Sequence, residues 1–192
     1  MSERFADGTQ VAPIVVERPD QRARELPSWR VTRLLDRPTF FDRLQRAMVR
    51  NQGAGGGFAL LVMKLDPFAV GDSGSTGARR EEVHMVSAGR LIGCLHHTCV
   101  TGRIAGDEFA VLAEGICDLR RATELAEQML MCVRWPEDLV SASIGIALQG
   151  SRRSAEQVMI DADIAMFSAR SGGGDRYQVY QEWMRETAVA AT

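Results

Sequence analysis

Arg103-Ile104-Ala105-Gly106-Asp107-Glu108-Phe109-Ala110-Val111-Leu112 is a stretch that doubles back on itself. Two short apolar runs, Val100–Ile104 and Phe109–Ala113, flank Ala105-Gly106-Asp107-Glu108. Apolar runs of strand length around a Gly-Asp pair predict a β-hairpin. Such a hairpin sets two carboxylates, Asp107 and Glu108, side by side at its turn.

Outward from the hairpin the pattern stays legible. Asp36 is placed to cap a helix whose second position is Pro38. Phe40, Leu44 and Met48 follow at i, i+4, i+8 on one face. Gly53–Gly57 break that helix, and Phe58–Leu65 is an apolar run with the length of a buried strand. A loop is expected over the Gly- and Ser-rich Gly71–Gly77. A second helix then carries Ala88, Leu91, Ile92 and Leu95 on one face. Beyond the hairpin, Leu125, Met129, Cys132 and Val133 mark a third helix. Leu139–Leu148 reads as a strand. A helix from about Ser154 to Arg170 turns Val158, Ala162, Ala165, Met166 and Ala169 inward, and Tyr177–Tyr180 ends the pattern as a short strand. The order α, β, α, β-hairpin, α, β, α, β predicts an α+β sandwich, a mostly antiparallel sheet with helices over its faces. Residues 1–28 form a polar N-terminal extension, 29–181 the domain, and 182–192 a C-terminal tail in which Trp183 is either an exposed anchor or packs on the domain.

The 192 residues are 45% hydrophobic and 25% charged, the balance of an ordinary globule. A formal charge of -2 recruits neither nucleic acid nor anionic lipid by bulk electrostatics. No apolar run approaches the roughly 18 residues of a membrane span, and the N-terminus lacks a signal-peptide pattern, so a cytoplasmic location is expected. The four cysteines, Cys94, Cys99, Cys117 and Cys132, include no C-x-x-C pair and sit in apolar stretches, so they are read as buried reduced thiols. His84, His96 and His97 make no zinc spacing with them. His96-His97 is read as a solvated helix end.

The hairpin resembles the R-x-G-G-D-E-F-x-x-L signature of the GGDEF (diguanylate cyclase) family, with Ala105 at the first glycine, followed by Gly106 and Phe109. Thr32-Arg33-Leu34-Leu35-Asp36-Arg37 with Phe40 and Leu44 resembles the family's opening T-G-L-x-N-R-x-x-F-x-x-x-L. Leu65-Asp66-Pro67-Phe68 stands at its D-x-D-x-F strand end. Ser141–Ala147 resembles T-x-S-I-G-I-A, and Ala162–Arg170 resembles A-D-x-A-M-Y-x-A-K. These blocks keep the family's order and spacing from Trp29 to Tyr180.

The resemblance implies a bacterial signalling domain with the ferredoxin-like sandwich of nucleotide cyclases. It also implies a chemistry, in which two domains each present one GTP and each 3′-hydroxyl attacks the other's α-phosphate to give cyclic di-GMP. Magnesium, held by hard oxygens, would neutralise the charge that develops.

Residue by residue, the carry-over exposes departures. The first metal aspartate of the family falls on Lys64, and Asp107 is the metal carboxylate that remains, beside Glu108. An ammonium cannot ligate magnesium, so Lys64 either pairs with Asp107 or swings out to solvent. Pro67 lacks one of the backbone donors that cradle phosphate. The following lysine falls on Ala69, and the K-x-x-x-R pair falls on Arg170 and Gly174. The guanine-reading positions fall on Asp72 and Glu81. Of these, Asp72 cannot donate to guanine O6 when ionised. The family's loop G-H becomes Thr76-Gly77. The R-x-x-D product-inhibition site reads His96-His97-Thr98-Cys99 and is lost.

The expectation is therefore a degenerate, non-catalytic GGDEF domain of cyclic di-GMP signalling, acting through a protein partner or as a nucleotide sensor. It needs no cofactor. The alternative is an active diguanylate cyclase that joins two GTP with Mg²⁺. GTP, cyclic di-GMP and a second copy of the chain are compatible partners; nucleic acid and membrane are not. With only residues 1–28 ahead of the domain, control is expected from a partner protein.

Overall fold

The computed structural model describes residues 34–51, 56–66, 76–134, 140–150 and 153–190. Pro67, Ala69, Asp72 and the extension 1–28 lie outside these.

Helix α1 spans Arg37–Asn51, and its first turn is closed by Thr39 N–H donating to Asp36 Oδ1 at 2.9 Å. The apolar positions of its expected stripe, Phe40, Leu44 and Met48, are all buried. Strand β1 (Phe58–Leu65) follows, then helix α2 (Thr76–Cys94). The loop expected through Gly77 gives way two residues early, because the helix already begins at Thr76. The hairpin forms as β2 (Val100–Ala105) and β3 (Glu108–Glu114). Its turn uses no positive φ at Gly106; a register shift between Arg103 and Ala105 absorbs the irregularity instead. Helix α3 (Leu119–Val133) is capped by Asp118, which accepts from Arg121 N–H at 2.9 Å. Strand β4 is Ala142–Leu148. Helix α4 (Ala155–Ser171) opens on a capping box between Ser154 and Gln157, and strand β5 is Arg176–Val179.

These strands make one sheet in the order β2-β3-β1-β4-β5. All pairs are antiparallel except β4 with β5. Among the described residues, then, the chain is an α+β sandwich with a mostly antiparallel sheet flanked by helices.

Strand β1 is central, which is why its sequence does not alternate. Ala59, Leu61, Met63 and Leu65 enter one core with α2 and α3, and Phe58, Leu60 and Val62 enter a second core with α1 and α4. By the same alternation, Lys64 sits on the α1/α4 side, at the end of the strand.

Two expectations need correction. The cysteines are not buried: Cys94, Cys99 and Cys132 are half-buried and Cys117 is exposed. Cys132 leans off the core stripe of α3 toward α2, and Cys117 stands in the turn before α3. The stretch set apart as a tail carries helix α5 (Glu182–Ala190), with Met184 only 3% exposed. Its anchor is polar as well as apolar. Arg185 pairs with the fully buried Asp161 of α4, and Arg153 Nη1 reaches the other oxygen of that carboxylate at 2.6 Å. Trp183 is 57% exposed on this helix.

Candidate functional site

The antiparallel register decides what meets at the hairpin end of the sheet. Lys64 of β1 lies directly across from Glu108 of β3 and, on its other side, from Ser143 of β4. Leu65 N–H donates to Asp107 O at 3.0 Å, so the ladder runs on into the turn. Lys64 Nζ is then 2.5 Å from Glu108 Oε1 and 3.6 Å from Asp107 Oδ1. Lys64 does not swing into solvent. It makes the expected contact with Asp107 and a shorter one with Glu108, because the register, not the turn, sets the closest pair.

The Glu108 carboxylate raises the Lys64 pKa above the usual lysine range, against the opposing effects of burial and of Arg170 nearby. Asp163 of α4 completes the cluster. It lies at the surface with protein packed on one side of its carboxyl, and that desolvation together with the Glu108 charge pushes it up to about 6. Two carboxylates of the hairpin turn thus share an internal cation, with a third carboxyl close by. An ammonium supplies no lone pair, and it already neutralises the oxygens a divalent ion would need. These residues do not fit Mg²⁺.

Lys64 is the only lysine of the chain, which makes the ion pair measurable by amine chemistry. A raised pKa leaves less free amine at a given pH. An amine-acylating reagent at pH 8.5 is therefore expected to modify Lys64 more slowly than an exposed lysine, and Glu108→Gln is expected to speed the reaction several-fold. Equal rates in the two proteins, followed by peptide mass mapping, would contradict the pairing.

A second internal pair stands beside the hairpin turn, at the Glu81 expected to read a base. Arg103 Nη1 and Nη2 reach Glu81 Oε1 and Oε2 at 2.9 and 3.0 Å. The same guanidinium donates to Gly106 O through Nε at 3.0 Å and Nη2 at 2.7 Å. The signature arginine therefore clamps its own turn to α2, and it holds Glu81 below the usual carboxylate range. Both oxygens of Glu81 are engaged. Ala105 is exposed and fits its turn, while Phe109 is fully buried in the α2/α3 core.

Behind the site, Asp66 acts as a clamp that the sequence reading did not single out. Its carboxylate accepts from Ser141 Oγ at 2.7 Å, Ser143 Oγ at 2.6 Å and Asp175 N–H at 2.8 Å. Gly174 (φ +70°) presses so close that a Cβ there would lie 2.8 Å from Asp66 Oδ2. The Asp175 side chain turns to Arg134, whose Nε holds its Oδ1 at 2.8 Å. Arg170 is half-buried near Lys64. His96 and His97 are exposed beyond the end of α2, with His96 Nδ1 2.9 Å from Thr98 Oγ1. Asp107, Glu108, Lys64 and Arg170 are thus brought together. Glu81 is turned to Arg103, and Asp72 lies outside the described residues. Among those residues no helix is long and apolar enough to cross a membrane.

The sequence profile described as "Diguanylate cyclase, GGDEF domain" matches residues 30–176. A curated relative, the bifunctional diguanylate cyclase/cyclic di-GMP phosphodiesterase MucR of Pseudomonas aeruginosa, is 32% identical over 82% of this chain, which spans only 24% of that protein. The probable diguanylate cyclase DgcE of Escherichia coli is 27% identical over 79% of the chain, which spans 14% of it. Among solved structures, the GGDEF domain of YfiN (TpbB) from P. aeruginosa superposes with a TM-score of 0.67 at 25% identity, covering 77% of this chain and 97% of that one. The diguanylate cyclase SiaD of P. aeruginosa, solved with its activator SiaC, gives a TM-score of 0.66 at 25% identity, covering 78% of this chain and 60% of SiaD.

Proposed function

This chain belongs to the GGDEF domain family of diguanylate cyclases and so to cyclic di-GMP signalling, and from that premise we propose that it is a non-catalytic member, a regulatory module that acts through a protein partner. One observation carries the reading: Lys64 Nζ lies 2.5 Å from Glu108 and 3.6 Å from Asp107, an internal cation among the carboxylates that should hold a metal ion. The lost phosphate contacts support it. The direction a side chain at Gly174 would take is filled by Asp66, and Asp175 is paired with Arg134. Pro67 and Ala69 weaken the same region on sequence grounds. Phosphoryl transfer relies almost wholly on positioning and charge neutralisation, so losing both leaves little from which to build a rate.

A protein partner is the favoured input because SiaD, a structural neighbour, is solved with a protein activator. The paired groups Glu81–Arg103 and Lys64–Glu108 offer a preformed polar surface at the hairpin end. GTP or cyclic di-GMP as a sensed ligand is the variant of this reading in which Arg170 retains a phosphate contact.

The test is incubation of the purified chain with GTP and Mg²⁺ or Mn²⁺, followed by chromatography for cyclic di-GMP. No product above a protein-free control is expected. Lys64→Asp is expected to gain Mg²⁺-dependent binding of GTP, read by calorimetry, without full activity, since Gly174 is unchanged. Sustained turnover by the unaltered chain would overturn the proposal in favour of an active cyclase with a rearranged site.

A further inference from the structure

Val100 opens β2 and Glu114 closes β3, so both lie at the end of the sheet opposite the hairpin turn. There one face of α1, with Thr39, Asp42, Arg43 and Arg46 at i, i+3, i+4, i+7, stands across from the C-terminal end of α2 and the start of β2. Between them runs an open cleft of about 520 Å³. Its floor is apolar, made by Leu35, Ile92, Leu95 and Val100, all half-buried. Ile92 belongs to neither core.

The rim is basic. Arg43, Arg46, His96 and His97 line it and are all exposed. Among the described residues the one acid lining the cleft is Asp42, and Arg46 already holds it at 3.0 Å. The two imidazoles lie with centroids 4.0 Å apart, and Thr98 N–H donates to His96 Nδ1 at 3.4 Å. A neutral ring that accepts at Nδ1 carries its proton at Nε2, so His96 adds a donor to the rim. On the other side of the α2–β2 turn a second cleft, of about 670 Å³, shares Leu95, His96 and Cys99 with the first and continues over Ile116 and Leu125.

This arrangement sorts the possible occupants. A small-ligand site encloses its ligand and converges a few buried polar groups on it. Here the charged and imidazole side chains stand exposed at the edge, with half-buried apolar side chains between them. An apolar centre inside a polar rim is the anatomy of a protein–protein contact, and the sign of the rim selects an acidic partner. Two clefts joined across a turn suit the length of a peptide segment. The turn itself reads His96-His97-Thr98-Cys99, without the arginine and carboxylate that the family resemblance sets there for a cyclic dinucleotide.

We infer that this cleft docks an acidic, apolar-anchored segment of a partner protein. Its apolar side chains lie against Ile92, Leu95 and Val100, and its carboxylates meet Arg43, Arg46 and the histidine pair. The inference rests on the protein-partner reading above and gives that partner a place and a charge. It sets the contact at the end of the sheet away from Lys64 and Glu108.

The test is fluorescence anisotropy of the full chain with a labelled peptide of about twelve residues that alternates Glu and Leu. Binding in the micromolar range is expected, weakening several-fold between about 50 and 300 mM salt. The same peptide with Lys for Glu is expected not to bind. Arg43→Glu combined with Arg46→Glu is expected to weaken the Glu-Leu peptide at least about tenfold. In the unsubstituted, isotope-labelled chain, NMR is expected to show the His96 and His97 imidazole signals shifting with peptide while those of the buried His84 stay in place. This measurement decides the matter even if a variant fails to fold. Equal affinity for the Lys peptide, or His96 and His97 signals unmoved by the Glu peptide, would overturn the inference. So would cyclic di-GMP shifting those signals where the peptide does not, which would make the cleft a nucleotide site. The GTP assay above decides the non-catalytic reading separately.

Discussion

Gly145→Ala is expected to destabilise the fold by at least about 3 kcal/mol, and Gly145→Val to prevent folding. Gly145 sits in the middle of β4, paired with Val62 on one side and Gln178 on the other. Its α carbon faces α4 at close range. A Cβ there would lie 2.0 Å from Ala162 O and 2.2 Å from Met166 N. Both are backbone atoms, so no side-chain rotation can relieve the clash. The helix must move off the sheet, and with it the layer formed by Ala162, Ala165 and Ala169, all 0–1% exposed. A domain held by about 5–15 kcal/mol has little margin for this. Urea unfolding followed by circular dichroism measures it. A Gly145→Ala unfolding free energy within about 1 kcal/mol of the unsubstituted chain's would show that the helix is not seated so closely.

Asp66→Ala is the second large effect, expected at about 3–5 kcal/mol. The carboxylate is 8% exposed and accepts three hydrogen bonds, from Ser141, Ser143 and the Asp175 backbone. Each bond to a charged acceptor contributes about 1.5–3 kcal/mol, and truncation strands the donors, of which Ser143 is fully buried. Asp66→Asn is expected to lose less, because its amide oxygen still accepts while its NH₂ faces other donors. The same substitutions loosen the end of β1, so acylation of Lys64 should quicken in parallel with the loss of stability. Unchanged Lys64 reactivity in a destabilised Asp66→Ala protein would separate the clamp from the site.

The parts of the fold that were legible in the sequence are those written in neighbouring residues. The Asp36 cap, the α1 stripe and the hairpin all depend on residues a few positions apart, where side-chain chemistry and period determine the outcome. The contact of Lys64 with the hairpin acids was legible too, through the aligned blocks. Its preference for Glu108 was not, because that depends on antiparallel register. Asp66 escaped notice for the same reason: its partners lie 75, 77 and 109 residues away in sequence. Helix α5 was missed because the nine residues Glu182–Ala190 are too few to show a helical repeat of their own; it docks through Met184 and through Arg185 on a carboxylate buried in another helix. The cysteines were judged by their apolar neighbours.

The close seat of Gly174 on Asp66 also bears on how this domain changes over generations. Gly174, on which the resemblance sets the last residue of K-x-x-x-R, has a backbone at φ +70° and no room for a Cβ beside the Asp66 carboxylate. An arginine codon arising there would first harm the fold, before any nucleotide could reward it. Removing Asp66 to make room strands Ser141, Ser143 and Asp175. A side chain at this position is therefore reached only through less stable intermediates. A glycine held in this way by its neighbour is kept by the fold itself, and that works as a ratchet.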